Sequence, residues 1–145
     1  MVIAEIIDGE ITPFPSEDSR TSDGAELVFN GRVRNVEGEN AIMALEYEQY
    51  EGMAARELQV LAEEAEGKFP IHDLFCRHRV GEVPVGEVSM HVSIWSEHRT
   101  EALEAITWFL SELKSRVPIW KWAVLPDGQK LPSESPTHPV GSPVR

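Results

Sequence analysis

Pro118 divides the carboxy-terminal half of this chain into two stretches of backbone that no single element can span. Its ring fixes φ at about −65° and pushes the preceding residue, Val117, out of the helical region. Before it, Leu103, Ile106, Leu110, Leu113 and Val117 recur at three- and four-residue steps, which predicts a helix over about 97–116 with these residues on its inner stripe. After it, residues 119–124 read as extended, with Lys121 and Ala123 facing one way and Trp120, Trp122 and Val124 the other. Lys114 thus ends a helix and Lys121 begins a strand. Two cations from different elements can then converge beside aromatic rings.

That convergence stands out against the charge of the whole. Thirteen Lys and Arg face twenty-five Asp and Glu, a formal net charge of −12. Such a balance argues against a nucleic-acid surface, which needs clustered cations over a broad face. A local cationic spot in an acidic body suggests a pocket for a small anion. The 145 residues suffice for one domain with a real core, expected over residues 1–131. Residues 132–145 hold four prolines among serine and glycine and read as a Pro/Ser-rich tail without stable order. The single cysteine, Cys76, sits in an apolar strand-like run and reads as inert core. Residues 1–14 carry acids and no long apolar stretch, so neither a signal peptide nor a membrane span is expected, and the expected location is cytoplasmic.

Along the chain, residues 1–11 predict a strand and residues 13–24 a loop or short capped helix. Ala25 to Phe29 predict a strand that bends or bulges at Asn30-Gly31, and 41–50 a second strand paired with it as a hairpin across the Glu37-Gly38-Glu39-Asn40 turn. Ala54, Leu58, Leu61, Ala62, Ala65 and Phe69 predict an amphipathic helix over 53–69. Two more strands, 71–80 and 87–95, are joined through Gly81, Pro84 and Gly86. A turn at Pro126-Asp127-Gly128 leads to a short returning strand at 129–131. The order predicts an α+β fold with two main helices on one face of a mostly antiparallel sheet.

Three cationic sets emerge: Arg32 with Arg34 beside a glycine, His98-Arg99 at a helix start with Ser96 as N-cap, and Lys114 with Lys121. Arg99 and Lys114 lie fifteen residues apart on one helix, about 22 Å at the helical rise. One small ligand reaches both only if a second copy of the chain supplies one of them, so a symmetric dimer with shared sites is expected. The five histidines lack metal-ligand spacing, and no phosphate-binding glycine loop or nucleophile elbow is present, so no metal and no cofactor are expected.

Together these sets resemble the large, catalytic subunit of molybdopterin synthase. The resemblance rests on Phe29-Asn30-Gly31-Arg32-Val33-Arg34-Asn35, Leu45-Glu46-Tyr47, Gly52-Met53-Ala54, His78-Arg79-Val80-Gly81-Glu82, His98-Arg99, Lys114 and Pro118-Ile119-Trp120-Lys121, in order over about residues 25–128. It implies an α/β hammerhead-type fold and a homodimer, with each subunit binding a small ubiquitin-like carrier that ends in Gly-Gly. The carrier's C-terminal thiocarboxylate delivers sulfur to cyclic pyranopterin monophosphate, and two transfers form the dithiolene of molybdopterin. Carried onto this chain, Arg34, His98 and Arg99 bind the substrate, Lys114 meets the carrier's tail, and Lys121 handles a proton or developing negative charge. The family usually has a glutamate where Ala123 stands, on the same face as Lys121. That departure supports a second reading, a catalytically weakened relative that binds carrier or precursor as a scaffold or regulator. An unrelated α+β ligand-binding domain is a third.

Overall fold

The computed structural model describes residues 1–133. In chain order it contains β1 (Val2–Asp8), β2 (Ala25–Arg32), β3 (Val36–Glu37), β4 (Asn40–Ala41), β5 (Ala44–Gln49), α1 (Met53–Lys68), β6 (Ile71–Pro84), β7 (Val88–Ser96), α2 (Arg99–Arg116), β8 (Ile119–Val124) and β9 (Lys130–Pro132). Seven strands form one sheet in the order β2-β7-β6-β5-β8-β9, with β1 running parallel to β6 and β3-β4 forming a separate two-stranded ribbon. The predicted α+β fold, two helices on a mostly antiparallel sheet, is the one observed. The expected tail lies outside the described residues from 134 onward, while Pro132 closes β9 and Ser133 is buried.

β6 holds the sheet together. Its first half pairs with β7 on one side and β1 on the other, and its last residues, Gly81 to Pro84, pair with β5. Gly81, at φ +88°, makes the bend between these two uses, a conformation that side chains rarely adopt. α1 and α2 pack on one face over Leu74, Cys76, Val92 and Ile94. The segment between β1 and β2 is a loop without helix, and it crosses the other face. There Phe14 lies 5.2 Å from the Phe75 ring and stacks on His91, Arg77 sits over Phe14, and Arg20 over Trp95. Asp73, buried under this loop, takes Arg20 at 2.6 Å and the amino terminus at 2.9 Å.

Three expectations change. The strand over 41–50 is split into β4 and β5, and it does not form a hairpin with β2. β2 pairs with β7, Ala25 opposite Ser96, and β5 lies between β6 and β8. A bulge between Gly31 and Arg32 turns the chain away from the sheet edge, so the next residues form the β3-β4 ribbon before β5 rejoins further along. The inner stripe of α2 is Ala102, Ala105, Ile106, Phe109 and Leu113, with Leu103 half exposed. Two alanines bring the helix close to the sheet and Phe109 fills the space beside them, which a count of large apolar residues overlooks. Ser96 does not cap α2: its hydroxyl donates to the carbonyl of His98 at 2.6 Å, and His98 occupies the cap position without a side-chain cap bond.

The approach to α2 is tight at Gly24, whose N–H donates to the Glu97 carbonyl at 3.1 Å. A Cβ there would lie 2.3 Å from that same oxygen. Backbone has to move to admit it, so Gly24→Ala is expected to lower unfolding stability by about 2 kcal/mol. Urea denaturation measures this as a lower midpoint at unchanged slope.

Candidate active site

The hinge at Pro118 is pinned from both sides. The Val117 N–H closes the last turn of α2 on the Leu113 carbonyl at 3.1 Å, and the Tyr50 N–H donates to the Pro118 carbonyl at 3.1 Å. Val117 itself is extended, at φ −85° and ψ 123°, as a residue before proline should be. Lys114 lies exposed in the final helical turn. Its neighbour Arg116 is bound by Glu64 at 2.6 and 3.0 Å, but Lys114 has no carboxylate at ion-pair distance among the described residues.

Lys121 is held differently. On β8 it follows Ile119 on the helix-bearing side of the sheet, and it sits opposite Tyr47 of β5. Its ammonium lies 3.3 Å from Oε2 of Glu37, on the β3-β4 ribbon. The Ser133 hydroxyl donates to the same oxygen, and Arg34 is 4.0 Å from the other. Burial by itself raises the pKa of Glu37, but the Ser133 hydroxyl and the charges of Lys121 and Arg34 outweigh it and hold the carboxyl below the usual range. Beneath this cluster the Tyr47 ring meets His78 edge-on at 5.4 Å. Burial raises the Tyr47 hydroxyl's pKa, partly offset by a hydrogen bond with Ser89. His78 is buried as a neutral ring, its Nδ1–H donating to the Arg79 carbonyl at 2.9 Å and its pKa pushed down to about 4.

The expected site residues thus divide by element. Lys121 and Arg34 share Glu37, whereas Lys114 stands in the last turn of α2, on the other side of Pro118 from Lys121. His98 and Arg99 stand at the opposite end of α2 from Lys114, both exposed, with His98 Nε2 3.3 Å from a Glu97 carboxylate oxygen. One chain does not bring the two ends together, in keeping with the helix-length argument. A cavity of about 300 Å³ does form, between Arg32, Arg79 and Glu87, but neither lysine lines it. Arg32 is occupied there, donating to the Gly86 carbonyl at 2.8 Å. Cys76 is inert as expected: fully buried, its thiol is pushed up to about 12. Glu37, Tyr47 and Ser133 are the members of the cluster that the sequence did not disclose. Ala123 is buried against Val33, Ile42, Leu45 and Val83, and the carboxylate next to Lys121 comes from Glu37 instead.

The family described as MoaE protein matches residues 9–116. Lys121 lies beyond that match. The molybdopterin synthase catalytic subunit of Pyrococcus abyssi is 40% identical over 111 residues, covering 77% of this chain and 75% of that protein. Among solved structures, molybdopterin synthase from Staphylococcus aureus aligns with a TM-score of 0.76 at 29% identity, over 86% of this chain and 93% of that one. A Helicobacter pylori structure, a complex of subunits 1 and 2 of molybdopterin-converting factor, matches in fold with a TM-score of 0.71 at 24% identity, over 94% and 93% of the two chains.

His78 gives the site a pH signature. Its folded pKa of about 4 lies below the roughly 6.5 of an unfolded histidine, so the unfolded chain binds the proton first. Its contribution is complete above about pH 6.5 and drains away as pH falls toward the folded value. Urea unfolding at pH 5 is therefore expected to show about 2 kcal/mol less stability than at pH 7 from this group. His78→Asn should lose less over the same interval; an equal loss would assign the effect elsewhere.

Proposed function

We propose a function from the premise that this chain belongs to the MoaE protein family. It is the catalytic subunit of a molybdopterin synthase, a sulfurtransferase of molybdenum cofactor biosynthesis. The finer reading is that it takes sulfur from the C-terminal thiocarboxylate of a small ubiquitin-like carrier and transfers it to cyclic pyranopterin monophosphate. It works as a homodimer with one carrier per subunit, in the cytoplasm. The observation that supports this best is the hinge: Pro118 lies between Lys114, which has no carboxylate partner among the described residues, in the last turn of α2, and Lys121, braced by Glu37 on β8.

In this reading each side chain acts through charge and position. Lys114, without an internal carboxylate, receives the carrier's anionic tail, and Lys121 stabilises the oxyanion that forms as sulfur is passed on or moves a proton there. Arg34, on the Lys121 side, and His98 with Arg99 hold the phosphate and pterin. The last two come from the partner copy, because α2 separates them from Lys114 within one chain. The scaffold reading rested on Ala123; Glu37, with a carboxylate oxygen 3.3 Å from the Lys121 ammonium, supports the catalytic reading over it.

Reconstitution with a thiocarboxylated carrier and the cyclic precursor tests the assignment. Lys114→Ala is expected to lower molybdopterin formation at least about 100-fold, the scale for loss of one group facing a developing anion. A rate equal to the parent's would refute its role. Shared sites have their own test: mixing Arg99→Ala with Lys114→Ala subunits should restore activity, since each mixed dimer regains one complete site. A mixture as inactive as its components, or a monomer by sedimentation at micromolar concentration, would rule out sharing.

A further inference from the structure

We infer that Glu37 is the positioning residue of Lys121, held in place by Ser133 at the end of β9. The inference rests on reading Lys121 as a catalytic group.

The contacts form a closed circuit on one residue. The Ser133 N–H donates to the Lys121 carbonyl at 3.3 Å, the Ser133 hydroxyl donates to Oε2 of Glu37, and that oxygen lies 3.3 Å from the Lys121 ammonium. A lysine on a four-carbon stem samples many rotamers and loses that freedom when it is ordered. The circuit removes that freedom before any ligand arrives. Glu37 itself is fixed: its side chain is only 13% exposed, although it sits on a two-residue strand whose ribbon partners are exposed. Burying a carboxylate there is unfavourable unless donors surround it. Ser133 and Lys121 are those donors, with Arg34 at 4.0 Å.

The burial pattern leaves Glu37 little other purpose. It does not belong to either apolar cluster, and the side chain that follows Lys121 on the same face of β8, Ala123, carries no charge. Glu37 also keeps its negative charge through neutral pH, so the ammonium always has a counter-ion on one side and is free to donate on the others. It does not touch reacting atoms; it sets where Lys121 points.

A double-mutant cycle in the reconstituted sulfur-transfer reaction tests this. Glu37→Gln is expected to lower kcat about tenfold, the kinetic equivalent of one ordinary coupling between contacting residues, with KM within about twofold of the parent. In a Lys121→Ala background the same change should have no further effect. Ser133→Ala, which removes a hydroxyl and no charge, should give a smaller kcat loss that also vanishes in that background, and it serves as the test if Glu37→Gln fails to fold. Equal losses in both backgrounds, or a parent-like rate in Glu37→Gln, would overturn the inference and leave the role of Lys121 standing. A parent-like rate in Lys121→Ala alone would overturn the reading of the lysine, and this inference with it.

Discussion

One strand has to satisfy three others, and the rest of the fold is arranged around that demand. β6 is fourteen residues long and uses its backbone twice, first between β1 and β7 and then against β5. A strand so placed cannot stay straight, since sheets twist and two neighbours follow one another along the same edge. Gly81 absorbs the change of direction, with Asp8 Oδ1 only 3.3 Å from where a Cβ would stand. Beyond that bend β5 pairs with β6 and β8, and this pairing sets Tyr47 opposite Lys121. The site is a product of the sheet's curvature as much as of its own residues.

Charge follows a similar division of labour. In a chain of net charge −12, several cations are consumed internally: Arg20 by three carboxylates, Arg77 by Glu5, Arg79 by Glu87, Arg116 by Glu64 and Lys130 by Glu46. Exposed pairs of this kind add little stability each. Their larger effect is to leave fewer positive groups uncommitted. Arg32, Arg56, Lys68, Arg99 and Lys114 have no carboxylate at ion-pair distance among the described residues, and Arg34 has only a distant one. An incoming anion is drawn to these positions on an otherwise acidic surface.

What could be read from the sequence was whatever local geometry determines. Pro118 ends a helix wherever it occurs, so the hinge and its two lysines were visible, as were α1, the β6-β7 pair and the bulge at Gly31. Partners chosen across long stretches of chain were not. Nothing between Ala25 and Tyr50 says that β2 will lie beside β7, because both candidate neighbours are apolar and the choice is made by the whole sheet. Leu103 looked like core for a related reason: periodicity counts large residues, and here two alanines occupy the buried phase. Glu37 had the strongest disguise. In a Glu-Gly-Glu-Asn turn a carboxylate reads as solvent-exposed, and only the return of the chain through β9 brings Ser133 and Lys121 to it.

α2 carries more than its share of these constraints, and its length is one of them. An inserted or deleted residue would shift one end by about 1.5 Å and rotate it by about 100°. The buried phase through Ala102, Ala105 and Phe109 would then fall out of step with either the Arg99 end or the Lys114 end. Apart from Arg99 and Lys114, substitutions on the solvent side of this helix are free to accumulate, whereas indels are not. The helix behaves as a measuring rod, and divergence among copies of this fold should preserve its count of residues more strictly than their identity.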